Sequence, residues 1–134
     1  MDIAVNYTAV LVAAVASFII GWLWYGPIFG KQWMKLRKQD PATMTGEMPW
    51  SLMAGEFVLT VITAFVLAHF AVLFGATTAA SALQLAFWAW LGFYATTLMG
   101  PVLWEKMPIE LYAITAGRWL VSLLAMALVI SWPW

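Results

Sequence analysis

Residues 50–74 read WSLMAGEFVLTVITAFVLAHFAVLF, and this stretch decides the fold. A helix needs about 20 consecutive apolar residues to cross the hydrocarbon of a bilayer. The run exceeds that length with only Glu56 and His69 as ionisable interruptions. Three further runs share its character, from about Ile3 to Trp24, Ala79 to Leu98 and Ile109 to Trp132. Gly26-Pro27, Pro41, Pro49, Gly75, Gly100-Pro101 and Pro108 fall between the runs, where a missing N–H or a permissive backbone does least harm. The expectation is an all-α chain, a four-transmembrane-helix bundle forming a single membrane domain over residues 1–134.

Composition agrees. Of 134 residues, 65% are hydrophobic and 9% charged, where a soluble domain carries about 25% charged residues. A soluble fold of this length could not bury so much apolar surface, and the mean hydropathy is +0.90. A net charge of zero argues against a nucleic-acid partner. With no cysteine and one histidine, no disulfide, thiolate nucleophile or two-histidine metal site exists within the chain. Ala14-Val15-Ala16 looks like a signal-peptide cleavage site, but no basic group leads the run and the apolar stretch continues past it. The first run is therefore read as a retained helix.

The cations set the orientation. Lys31, Lys35, Arg37 and Lys38 lie in the first connection and Lys106 in the third. Four spans place both connections on one side, so the loop cations share a compartment. By the positive-inside rule residues 25–49 are cytoplasmic and both termini lie outside. Among ten tryptophans, Trp22, Trp24, Trp33, Trp50 and Trp104 mark the cytoplasmic boundary and Trp132 and Trp134 the outer one. Trp88, Trp90 and Trp119 sit nearer mid-span, as packing bulk or as the wall of a ligand pocket. From Phe29 to Lys38 a helix would place Phe29, Trp33 and Leu36 opposite Lys31, Lys35 and Lys38. Such a segment either lies on the bilayer with Lys31, Lys35, Arg37 and Lys38 on anionic lipid headgroups, or is a solvated loop.

Glu56 and Arg118 are the charged residues deepest within the runs. An intramembrane charge costs several kcal/mol unless paired or hydrated. Glu56 lies roughly 9 Å and Arg118 roughly 13 Å from the cytoplasmic side at 1.5 Å per residue, and the two are expected to form a buried ion pair. The pair either fixes helix orientation or forms a proton site with Glu56 as carrier. His69, near the outer end, is an interfacial hydrogen-bonded histidine or a ligand or partner contact. Ala54-Gly55-Glu56-Phe57 resembles Ala116-Gly117-Arg118-Trp119, Thr60 then matches Ser122, and Gly26-Pro27 matches Gly100-Pro101. These matches suggest two parallel helical-hairpin repeats about an axis along the membrane normal. Ala9-Ala13-Ser17-Gly21, Thr60-Ala64-Ala68 and Gly92-Thr96-Gly100 form small-residue ridges that let helix backbones approach, within the chain or in an oligomer.

The stretch from Tyr7 to Leu36, with its Leu23-Trp24-Tyr25-Gly26-Pro27 turn followed by Phe29-Gly30-Lys31 and Trp33, resembles a bacterial family of small integral membrane proteins, domain of unknown function 1761. The segment WLGFYATTLMGPVLWEKMPIELYAITAGRWLVSLLAMALVISW, residues 90–132, resembles the end of that family. The resemblance implies a four-helix protein of the bacterial inner membrane and carries over no catalytic or binding residues.

The chain lacks a paired carboxylate within one span, a Ser/His/Asp arrangement and a metal-ligand cluster, and Glu105 and Glu110 flank a loop. It is therefore read as non-enzymatic: a lipid- or cofactor-binding protein, a scaffold or an accessory subunit, alone as a homo-oligomer or within a larger membrane complex. The sequence names no cofactor. The alternative is a small proton-coupled transporter or channel using Glu56.

Overall fold

The computed structural model describes residues 4–36 and 50–134, which contain helices and no strand. Arg37 and Lys38 fall outside the described residues. The elements are α1 (Tyr7–Leu23) with a π turn (Trp24–Ile28), α2 (Gly30–Leu36), α3 (Trp50–Leu73), α4 (Ala79–Ala89) with a π segment (Trp90–Ala95), α5 (Thr96–Trp104) and α6 (Ile109–Ser131). Four continuous helical stretches are long and apolar enough to cross a membrane: Tyr7–Ile28, Trp50–Leu73, Ala79–Trp104 and Ile109–Ser131.

Two boundaries differ from expectation because both Gly-Pro pairs lie inside helices rather than between them. Pro27 has no N–H to continue the regular ladder. The backbone widens into a π turn instead, and the Phe29 N–H donates to the Trp24 carbonyl at 2.9 Å. Gly30 then permits a close approach, since a Cβ there would stand 2.8 Å from the Tyr25 carbonyl oxygen. The third span likewise runs through Pro101 to Trp104. It closes where Glu105 and Met107 N–H groups both donate to the Pro101 carbonyl, at 2.9 and 3.2 Å. The first span starts at Tyr7, because Asn6 is extended and its Oδ1 accepts from the Ala9 N–H, an N-cap.

The turn between the second and third spans is determined by local chemistry. Gly75 adopts φ +65°. The Ala76 N–H reaches the Ala71 carbonyl at 2.8 Å and the Gly75 N–H the Val72 carbonyl at 3.3 Å, the bonding pattern of a Schellman stop. Thr78 then caps α4 in a reciprocal box with Ser81.

α1 packs along both α3 and α6, and α4 packs along α6. The ridge Ala9-Ala13-Ser17-Gly21 is buried throughout, as is Thr60-Ala64-Ala68. Gly92 and Thr96 remain exposed and Gly100 half-buried among the described residues. Alanine dominates the core, with Ala13, Ala14, Ala64, Ala68, Ala82 and Ala86 around Leu123 and Met126. Small side chains bring the helix axes together where no hydrophobic effect operates between helices in lipid.

α1 pairs with α3 as α4 pairs with α6, and Thr60 and Ser122 are both fully buried. Yet α3 and α4 touch little, leaving an apolar cleft between Phe70, Leu73, Phe74, Trp88 and Phe93, whereas α1 and α6 are in close contact along their length. Residues flanking both described ends, Asn6 and Trp132 among them, line one cavity with Ala76 and Thr77 of the turn, so these ends share one end of the bundle.

Replacing Gly75 by Ala should lower stability by about 1 kcal/mol, because a Cβ is strained at positive φ. Gly75→Asn should cost less. Thermal unfolding midpoints of the purified variants in detergent test this, and equal midpoints for all three proteins would contradict the assignment of a left-handed stop.

Candidate functional site

The unusual residue of this bundle is Arg118. It lies on α6 and is only 3% exposed. Side chains on a helix lean toward its N-terminus, so Arg118 reaches toward the Ile109 end and crosses to α1. There Nη2 donates to the Ser17 carbonyl at 3.3 Å. Gly21, one turn further along the ridge, leaves room for the guanidinium, since a Cβ at Gly21 would stand 2.6 Å from Nη2. On its other side the guanidinium carbon sits 3.8 Å from the centre of the Trp119 ring, a cation–π contact.

Trp119 is itself held by the π segment of the third span. Tyr94 stacks on it at 5.2 Å between centroids. One turn earlier the Trp90 indole donates to the Ala116 carbonyl at 2.8 Å, and the Tyr112 hydroxyl donates to the Ala95 carbonyl at 2.9 Å. From the first span the Trp24 indole donates to the Ile114 carbonyl at 2.8 Å. The wider turn of a π segment carries these aromatic residues off the regular helical stripe and onto α6. Trp24, expected as an interfacial anchor, is thus a clamp between spans, while Trp22, Trp50 and Trp104 are exposed near span ends.

Among the described residues Nε and Nη1 of Arg118 have no hydrogen-bond partner, nor do the buried hydroxyls of Ser17 and Ser122. Buried polar groups are normally paired, and an unpaired one costs about 1–3 kcal/mol, more when charged. Arg118 lines a cavity of about 500 Å³ together with Phe18, Gly21, Trp22, Tyr25 and Glu56. That volume lies within the roughly 300–1,000 Å³ range of small-ligand sites. The cavity mouth is apolar and outward-facing, with Trp22 61% and Leu52 73% exposed.

The expected Glu56–Arg118 pair is therefore a shared cavity. Glu56 is exposed, and no hydrogen bond joins it to Arg118. The other sequence candidates separate. His69 places Nδ1 2.8 Å from the Phe65 carbonyl, which requires the proton on Nδ1, and its ring packs edge-on against Phe65. Trp88 faces the apolar cleft and Trp90 ties helices together, leaving Trp119 as the mid-span tryptophan at the cavity. Lys31 and Lys35 are exposed on α2, opposite the half-buried Phe29, Trp33 and Leu36, as the periodicity requires. Ser17, Gly21, Trp22 and Tyr25 belong to the site, but the sequence marked Ser17 and Gly21 only as a packing ridge, Trp22 as a boundary anchor and Tyr25 as part of the turn before Pro27. No group of three or more potential metal ligands occurs among the described residues.

The family described as "Protein of unknown function (DUF1761)" matches residues 8–131. Neither curated proteins nor solved structures include a match.

Gly21→Ala should displace the guanidinium and break its bond to Ser17. Paired with Arg118→Met in a double-mutant cycle, the two changes should couple by about 0.5–3 kcal/mol. Unfolding free energies that add without coupling would place the guanidinium elsewhere.

Proposed function

The chain belongs to the family of unknown function DUF1761, and from its cavity we propose that it is a non-enzymatic, multi-pass protein of the bacterial inner membrane that binds the anionic group of an amphiphile at Arg118. The observation that carries this reading is a nearly fully buried guanidinium, two of its nitrogens unpartnered among the described residues, on a residue that lines a cavity with an apolar mouth. An anion there gains a charge-assisted hydrogen bond from the Arg118 guanidinium. Its apolar body can leave past Trp22 and Leu52 into lipid.

The basic connection is read as cytoplasmic and the ends of the chain as external. Exposed Lys31 and Lys35 then face anionic headgroups, which contribute about 1 kcal/mol per cation. Proton-coupled transport is the second reading, favoured by the presence of Glu56 in the same cavity. It requires that Glu56→Gln abolish proton flux in proteoliposomes while the fold is retained.

Arg118→Gln should reduce the phospholipid co-purifying with the protein by on the order of ten-fold, the effect of losing one charge-assisted bond to its phosphate. Native mass spectrometry reads this directly, and an unchanged lipid complement would remove the anion site. Because the chain has no cysteine, Thr77→Cys should label in intact cells with an impermeant maleimide and Lys106→Cys only after lysis. The reverse pattern would invert the proposed orientation.

A further inference from the structure

We infer that the ligand of the Arg118 cavity is zwitterionic, an aminophospholipid headgroup whose phosphate meets Arg118 and whose ammonium meets Glu56. This inference rests on the anion site proposed above and adds the second pole. Glu56 lines the same cavity, and its carboxylate hydrogen-bonds to no described residue. A net anion in this space would satisfy Arg118 and be repelled by Glu56. A lone cation would meet the opposite conflict. A molecule carrying both charges relieves both, which matters where unpaired charge is costly.

Depth and direction agree. Glu56 on α3 and Arg118 on α6 both lean toward the N-termini of their helices, which begin at Trp50 and Ile109. Both charges are thereby directed toward the end of the bundle that carries Lys31, Lys35 and Lys106. Gly21, which the guanidinium touches, lies only three residues before the π turn at Trp24. The poles therefore lie where a headgroup drawn slightly inward can reach them. Phe18, Trp22 and Tyr25 line the space around them, and aromatic faces attract an alkylammonium. The exposed Trp22 and Leu52 offer the acyl chains a path into lipid. A soluble phosphoethanolamine derivative presents the same two charges, so the source is decided by competition.

The test reconstitutes the full chain in nanodiscs of equimolar phosphatidylethanolamine and phosphatidylglycerol and reads retained lipid by native mass spectrometry. The wild type should retain phosphatidylethanolamine over phosphatidylglycerol by about five-fold, the upper range of one partly exposed ion pair. Glu56→Gln should bring the ratio near one, and Glu56→Lys should reverse it. Glu56 is exposed, so both variants should keep the wild-type circular dichroism spectrum. A wild-type preference for phosphatidylglycerol, or a ratio indifferent to both Glu56 variants, overturns the zwitterion. If Arg118→Gln still lowers retention of both lipids, that result leaves the anion site standing. If Arg118→Gln changes neither lipid, the anion site itself fails. Soluble glycerophosphoethanolamine should not displace the lipid at millimolar concentration, and displacement there would assign the site to a soluble zwitterion and overturn the lipid assignment.

Discussion

A charged guanidinium held between two helices is the constraint around which the rest of this bundle is arranged. Arg118 is 3% exposed and, among the described residues, its one hydrogen bond is to the Ser17 carbonyl. A cation in such a position needs a close neighbouring backbone, a polarisable face and room. The ridge ending in Gly21 supplies the first, Trp119 the second and the cavity beside Glu56 the third. Breaking one side of a buried charged contact is far more costly than removing the contact altogether, so these features are interdependent.

The aromatic clamps serve the same centre. Trp24 and Trp90 donate to the α6 carbonyls of Ile114 and Ala116, on either side of Thr115 and within about one turn of Arg118. Each belongs to a π segment, one in the first span and one in the third. π segments cost hydrogen-bond regularity and are concentrated at functional sites. Here they turn indoles inward that the periodicity of a regular helix would place elsewhere.

Packing is uneven along the bundle. Toward the chain ends, alanines of the other three spans close around Leu123 and Met126. Toward the basic end, the buried polar layer of Ser17, Thr60, Arg118 and Ser122 gives way to the cavity. The second and third spans, joined by a stop determined at Gly75, separate beyond it and leave the apolar cleft. Glu56 and Arg118, which align in the two hairpins of the sequence, diverge in burial.

The sequence by itself determined the number of spans, their approximate limits, the common side of the basic connections and the two faces of α2. Length, hydropathy and side-chain period are local quantities, and they need no knowledge of neighbours. It also marked Glu56 and Arg118 as the intramembrane charges, because such residues are costly wherever the helices lie. Only the tertiary structure decided that Arg118 is buried while Glu56 is exposed, that Ser17 and Gly21 face the guanidinium, and that Trp119 lines the cavity when Trp90 clamps and Trp88 faces outward. It also carried both Gly-Pro pairs into helices, since neighbouring helices and π turns can satisfy a backbone that proline interrupts. The physical reason is common to all of these: which face of an apolar helix turns inward depends on what it meets there, and a span that is apolar all round carries no mark of that direction.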